Sequence, residues 1–372
     1  MHDNSHVVHP TANAADGVDG ERSVLAALLR ILMAPAIGAA VGMLLLITVV
    51  LPTLGLGSVE RIAALGRHLQ ADLQPRPVVA FLGNSITREG IDAAAVDNAT
   101  GSRWHAQNLA LSGCSVTEMR ILLPKLMQAH PELVVLPFQP QDIGRTNGVP
   151  IDKCYAYAFG GFVDAWPADW TRDSLPGLSQ ESYEGLRSTP LQQQLHFRTV
   201  PLNAFNDKVR LMLREGDLRE TAPDNWSDPY EMLGTVTSDR LAAHAQQARR
   251  DTQSLLKEGV GTAADEISRV AAQVREGGGT PVLVALPLHP LLRKGYGPGF
   301  DIDDYIRALK SLLNQTAQAE NGVYIDAMDV LQEDDYADAV HPNAQGRARY
   351  SRFMGEQLSR VKATGTSAAQ SE

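Results

Sequence analysis

Five short apolar runs, separated by stretches of helical periodicity, constrain this chain more than any other feature. They are "PVVAFLG" (77–83), "AQNLAL" (106–111), "ELVVLPF" (132–138), "TPVLVALP" (280–287) and "GVYIDA" (322–327). Each is rich in Val, Ile or Leu, as a strand buried on both faces of a parallel sheet must be. The intervening "VTEMRILLPKLMQAH" (116–130) and "DDYIRALKSLLNQTAQAE" (303–320) space their apolar residues as amphipathic helices do, and "AADEISRVAAQVREGGG" (263–279) ends in helix-stopping glycines. The alternation predicts an α/β fold, a three-layer α/β/α sandwich on a five-stranded parallel sheet. In such sheets, ligands and chemistry sit outside the carboxyl ends of the strands.

Other segments fall outside this rhythm. Residues 31–56 carry no charge over more than the roughly 20 residues needed to cross a hydrocarbon core. Pro35 and Pro52 lie toward the ends of that run, where a helix tolerates them, and no small-x-small cleavage site follows it. The expectation is one transmembrane anchor over 24–58, after a disordered polar tail over 1–23. Arg22 and Arg30 before the span balance Arg61 and Arg67 after it, so charge alone does not orient it. Residues 59–76 read as a linker or helix, and 363–372 as a disordered tail. The α/β domain then occupies 77–142 and 263–362, interrupted by an inserted helical cap over 143–262. That insertion holds Trp166, Trp170 and Trp226 and two helical stretches, "DKVRLMLRE" and "SDRLAAHAQQARRDTQSLLKE". Its aromatics are expected to pack the cap's own small core, with stacking on sugar rings as the alternative.

A formal net charge of −10 argues against a nucleic-acid partner, which demands clustered cations. The two cysteines, Cys114 and Cys154, are too few for a disulfide framework and are not spaced as metal ligands. They are read as two free thiols or as a single bridge.

The stretch "FLGNSITRE" sets Ser85 on a turn directly after the first apolar run. Near the other end, "YADAVHPNAQGRARYS" sets Asp338 three residues before His341. A turn of that length can fold the carboxylate under the imidazole, leaving the second ring nitrogen to face a nucleophile. Ser85, His341 and Asp338 are therefore a candidate triad. His105 and His289 have no Asp three positions earlier and are read as structural. "KGYGPG" (294–299) reads as a flexible rim of the site. Arg88 and Glu89 are expected either to line the pocket or to form an ion-paired helix start.

These blocks resemble the SGNH, or GDSL-type, hydrolases and acyltransferases, named for Ser, Gly, Asn and His residues in four short motifs. "LGNSIT" supplies Ser85, "NLALSG" supplies Gly113, and "DAVHPN" supplies Asp338 and His341. The third motif departs from the pattern: where the family reads Gly-x-Asn-Asp, this chain reads "QPQD", with Gln139 for the Gly and Gln141 for the Asn. The resemblance implies a flavodoxin-like sheet and a catalytic set of Ser85, His341 and Asp338. It also implies an oxyanion hole from the amides of Ser85 and Gly113 with the Gln141 side chain. It further implies acyl-serine chemistry without a metal or organic cofactor. With the anchor, it suggests a periplasmic or exterior esterase or O-acyltransferase acting on acyl (acetyl) esters of glycans. On this reading the protein is a single-pass protein of the inner membrane, beside a membrane-bound acyl donor. The alternatives are an anchored lipase or lysophospholipase, and a non-catalytic binding or scaffold protein of the same fold.

Overall fold

In a computed structural model, residues 58–144, 148–193, 236–257 and 262–361 are described, with positions 33, 38, 41, 42, 196 and 226. The chain divides into two units, Met1–Leu54 and Gly55–Glu372. In the first unit, Met33, Gly38, Val41 and Gly42 are helical. The rest of the expected membrane span, both expected tails and the helix expected over "DKVRLMLRE" lie outside the described residues. Among the described residues, no helix is long and apolar enough to cross a membrane.

The second unit is built on the expected five-stranded parallel sheet. Its strands are β1 (Val78–Phe81), β2 (His105–Asn108), β3 (Leu133–Phe138), β4 (Thr280–Ala285) and β5 (Val323–Asp326), in the order β2-β1-β3-β4-β5. This is the flavodoxin-like order, whose switch point lies where the chain leaves β1 for β2 on one side and returns to β3 on the other. Phe81 pairs with Asn108 and Val135, so β1 and β2 end in step while β3 runs three residues further, to Phe138. The ladder runs on past β1: Leu109 N–H donates to Phe81 O at 2.9 Å and Leu111 N–H to Gly83 O at 2.9 Å.

Alternation along the strands feeds two cores. Val78, Ala80, Val134, Leu136 and Leu283 face one layer. That layer holds α1 (Ser58–His68), α4 (Val116–Gln128), α8 (Thr262–Glu276) and α9 (Ile302–Ala319). Val79, Phe81, Val135, Val282 and Val284 face the other, with α3 (Ala93–Ala99) and α10 (Ala344–Leu358). The remaining helices are α2 (Ser85–Gly90), α5 (Ile151–Phe159), α6 (Gln180–Leu186) and α7 (Ser238–Leu256). Trp166 and Trp226 are buried in the first of these cores, with Trp170 packed against it. These aromatics therefore extend the main core and do not form a separate one. Trp226 also stacks on His68 at 5.4 Å, beneath the Arg61 guanidinium at 4.8 Å.

Asn108, at the end of β2, ties the sheet to the helix that begins with Ser85. Its buried side-chain amide donates to Arg88 O and Ile91 O, both at 2.9 Å. These are carbonyls at the C-terminal end of α2, which otherwise lack intrahelical partners. Replacing Asn108 with Ala strands those buried acceptors. We expect Asn108→Ala to lower unfolding stability by about 1–3 kcal/mol, read from the urea midpoint at unchanged slope.

Candidate active site

The turn after β1 needs glycine. Gly83 has φ +139°, and a Cβ there would lie 2.5 Å from Thr87 Oγ1 and 2.6 Å from a Pro137 ring carbon. With that close approach, the chain turns at once into α2. Asn84 caps the helix by accepting Ile86 N–H at 3.0 Å. Ser85 is the first helical residue, so its N–H has no intrahelical acceptor and its side chain stands at the carboxyl edge of the sheet.

The loop before α10 brings the other two groups. Ala337 N–H donates to His341 O at 2.8 Å, and Tyr336 bridges Pro342, closing a tight loop. Inside it Asp338 Oδ1 accepts the N–H groups of Val340 at 2.7 Å and His341 at 2.8 Å. Asp338 Oδ2 lies 2.9 Å from His341 Nδ1, and His341 Nε2 lies 2.9 Å from Ser85 Oγ. A carboxylate can only accept here, so the proton sits on Nδ1 and Nε2 is left to accept from the serine hydroxyl. Ser85, His341 and Asp338 thus form one hydrogen-bonded chain, as their sequence pattern anticipated.

The charges within that chain support each other. Burial pushes the Asp338 carboxyl up, but the hydrogen bond and charge of His341 and the two backbone N–H groups outweigh it, bringing it down to about 2. Burial lowers His341, but the Asp338 hydrogen bond and the nearby Glu89 and Asp338 charges outweigh it, so its net shift is upward. Glu89 is ion-paired with Arg88 at 2.8 Å, both side chains being buried. Of the two expectations for this pair, the ion-paired helix start holds.

A cavity of about 480 Å³ opens beside His341. Asn84, Gly113, Gln141 and Asp142 line the same cavity, so the four sequence motifs converge on one space. The "QPQD" segment forms a short 3₁₀ turn over Pro140–Ile143. There Gln141 Nε2 donates to Gln139 Oε1, which occupies one of its two amide hydrogens. Asp142 accepts Gln139 N–H at 2.6 Å, and burial pushes its carboxyl up to about 6 despite that bond.

Gly113 sits in a left-handed turn at φ +58°. This turn is clamped from behind by a residue with no sequence signature, Lys153 of α5. Its ammonium donates to Ser112 O at 2.8 Å, Gly113 O at 3.1 Å and the buried Glu118 Oε1 at 2.8 Å. Glu118 in turn accepts from Tyr157 Oη–H at 2.7 Å and Ser115 N–H at 2.9 Å. With Ser112 O aimed at Lys153, the planar trans peptide aims Gly113 N–H the opposite way.

The rival histidines lie elsewhere. His289 is buried, accepts Leu291 N–H at 3.0 Å and packs on Tyr336; its basicity is lowered by burial. His105 stands 3.7 Å from Asp97 at the start of β2. Both cysteines are free and buried, with no bridge between them. Burial raises both thiols, Cys154 to about 12, so neither carries thiolate near neutral pH. The pattern of the sequence missed His244 of α7, whose ring lies 4.0 Å from Asp338 Oδ2 and lines the cavity. Among the described residues no group of side chains could hold a metal ion.

No protein-family profile matches this chain, and no curated protein matches it. Among solved structures it is similar to a protein assigned as an acylhydrolase from Bacteroides fragilis, at 13% identity and a TM-score of 0.39. That match covers 80% of this chain and 94% of the other. It is also similar to a carbohydrate acetylesterase from Sinorhizobium meliloti, at 12% identity and a TM-score of 0.33, over 76% of this chain and 98% of that one. A protein assigned as an arylesterase from Agrobacterium tumefaciens gives 14% identity and a TM-score of 0.32, over 76% of this chain and 97% of the other. The chemistry argued below rests on the geometry of the chain itself.

Removing the Lys153 charge leaves Glu118 buried with one cationic partner lost. We expect Lys153→Met to cost about 3 kcal/mol, the low end for a broken buried pair because Tyr157 and Ser115 still donate to the carboxylate. Urea denaturation measures it; a loss under about 1 kcal/mol would place the pair with ordinary surface bridges.

Proposed function

We propose that this protein is a serine esterase or O-acyltransferase of the SGNH type that works through an acyl-serine intermediate. The observation that carries the reading is the unbroken chain from Ser85 Oγ through the His341 ring to Asp338, at 2.9 Å on each side of the imidazole. In the first half-reaction His341 Nε2 takes the Ser85 hydroxyl proton as Oγ bonds to the ester carbonyl carbon. Asp338 holds the imidazolium. The carbonyl oxygen becomes an oxyanion, with the N–H groups of Ser85 and Gly113 as its donors. The second amide hydrogen of Gln141 stands where the family carries an Asn. The intermediate collapses, breaking the ester C–O bond, and the leaving alcohol takes the proton from His341. In the second half, His341 deprotonates water or a sugar hydroxyl, which attacks the acyl-serine and frees Ser85.

The His244, Gln247 and Asp251 side chains in a cavity of about 480 Å³ support a short acyl group on a hydroxylated carrier over the long acyl chain of a lipase. The charge-free run over 31–56 supports a single-pass anchor, and the acylated-glycan reading, not the flanking charge, carries its placement in the inner membrane with the α/β unit facing the periplasm or exterior. A membrane-bound acyl donor fits that placement. A second reading draws on one observation. Because Gln141 donates to Gln139, one oxyanion donor is partly committed, and losing such a donor costs about 2.7–4 kcal/mol of transition-state stabilisation. On that reading the fold binds ligand without turnover.

A fluorophosphonate probe separates the two. Labelling of the wild-type protein that disappears in Ser85→Ala, with turnover of p-nitrophenyl acetate, is the expected result. A folded protein that takes no label favours the binding reading.

The rate should also report His341. The base must be neutral to accept the proton, and its pKa is raised, so kcat/KM should fall on acidification with a midpoint above that of an ordinary histidine. Asp338→Asn removes the charge that raises it. The midpoint should move to lower pH while the plateau rate falls by about 10³–10⁴-fold. A midpoint that stays in place would detach His341 from the rate-limiting proton transfer.

A further inference from the structure

We propose that the cavity-facing side of α7 (Ser238–Leu256) is a recognition wall for a neutral, hydroxyl-rich sugar unit that carries or accepts the acyl group. This inference rests on the acyl-transfer reading of Ser85. His244, Gln247, Ala248, Asp251, Thr252 and Leu255 of this helix all line the cavity. They fall at i, i+3, i+4, i+7, i+8 and i+11, one face of one helix.

The residues of α7 buried against the body are Ala245, Thr252 and Leu256, while His244, Gln247 and Asp251 line the cavity from exposed positions. Toward the cavity the helix therefore presents an imidazole, a carboxamide and a carboxylate beside the buried Thr252 hydroxyl, with the small Ala248 between them. Vicinal sugar hydroxyls both donate and accept, and this mixture of donors and acceptors matches them. A long acyl chain laid along the same wall would desolvate four polar side chains without giving back a hydrogen bond.

The wall is also held in register with the triad. Val236 N–H, just before α7, donates to Ala337 O at 2.9 Å in the loop that carries Asp338 and His341. Arg249 Nη1 donates to Leu291 O at 3.0 Å and Lys294 O at 3.3 Å, fastening the helix to the rim. At the far end, Gly144 packs so closely on Leu255 that a Cβ would lie 2.3 Å from the Leu255 carbonyl oxygen. The polar face therefore begins beside Asp338 at His244 and runs about 10 Å along the axis to Asp251, at 1.5 Å per residue. Gln247 Nε2 donates to Asp251 Oδ1 at 2.8 Å, an exposed i,i+4 pair that a sugar hydroxyl can join or replace.

Charge narrows the class. The lining residues include Asp142, Asp251 and Asp338, and among the described lining residues there is no Lys or Arg. A phosphate-bearing lipid headgroup or a uronate would meet those carboxylates, and Arg250, the cation beside the wall, is outside the lining and donates to Gln247 Oε1 at 2.6 Å. A neutral sugar meets hydrogen-bonding groups for its hydroxyls and the apolar Val116, Leu292 and Val340 for its ring carbons.

The experiment uses the full chain and compares an acetylated neutral xylo-oligosaccharide with p-nitrophenyl acetate, for wild type, Gln247→Ala and Asp251→Ala. Each variant is expected to lose about tenfold more kcat/KM on the oligosaccharide than on the small ester, mostly through KM, which corresponds to one hydrogen bond to substrate. Calorimetry of unacetylated xylo-oligosaccharide with Ser85→Ala should show binding that Asp251→Ala in the same background weakens by a similar factor. Equal losses on both esters, or binding untouched by Asp251→Ala, would overturn the wall as a sugar site. If wild type turns over neither ester yet binds the oligosaccharide through Asp251, the acyl-transfer reading fails and the sugar wall stands. Faster turnover of acetylated uronate or lysophospholipid than of the neutral oligosaccharide would overturn the charge argument.

Discussion

The pairing of β1 with β2 on one side and β3 on the other is the constraint on which the rest of this structure depends. All three strands run the same way, so their exits lie together on one edge of the sheet: the Gly83–Ser85 turn, the turn at Gly113 and the 3₁₀ turn at Pro140–Ile143. The fourth and fifth strands end on the same edge, and the chain that follows them supplies Asp338 and His341. Residues 256 positions apart are thereby set 2.9 Å from one another. A hydrogen bond between Ser85 and His341 contributes little to holding the fold. The burial of strand residues on both faces of the sheet holds the edge, and the edge holds the site.

Much of this was legible in the sequence because each piece is governed locally. A strand buried on both faces has to be apolar throughout, so five runs of Val, Ile and Leu marked five strands. Asp338 and His341 were legible because only two residues separate them, and the Asp side chain satisfies that loop's own N–H groups as well as the imidazole. Gly113 was legible as a motif, and its reason is its positive φ. Lys153 and His244 were not legible. Their meaning comes from docking: nothing around "IDKCYAYAF" or "RLAAHAQQ" signals that one helix will lie behind Gly113 and the other across from His341. The tryptophans of the same region were misplaced for a related reason. Composition marks them as buried, but only packing decides which core takes them.

The electrostatic layout separates two tasks that a looser site would mix. Two cations hold the Gly113 turn: Arg88 donates to Ser112 Oγ, and Lys153 stands behind the backbone and addresses carbonyl oxygens. It can fix the direction of the peptide without offering a counter-ion to anions in the cavity. The carboxylates are on the cavity side, where Asp338 is fully engaged by His341 and by two N–H groups. The net result is an open space with hydrogen-bonding capacity and a negative bias, beside a base whose basicity is raised. That combination disfavours anionic ligands and is tolerant of neutral ones.

The middle of the chain therefore contributes differently from a lid that covers a finished site. Helix α5 reaches behind the sheet edge and braces the turn from which an oxyanion donor would come. Helix α7 lines the cavity beside the Asp338–His341 loop. Each is tied to the α/β body by hydrogen bonds from its own residues, through Lys153 to Ser112 and Gly113 and through Arg249 to Leu291 and Lys294. A sheet edge with three turns and a His loop can support acyl chemistry on any small ester that reaches it. On the acyl-transfer reading proposed above, the side chains that line the cavity beside His341 select the ester, and several of them come from α7, outside the strands that build the edge.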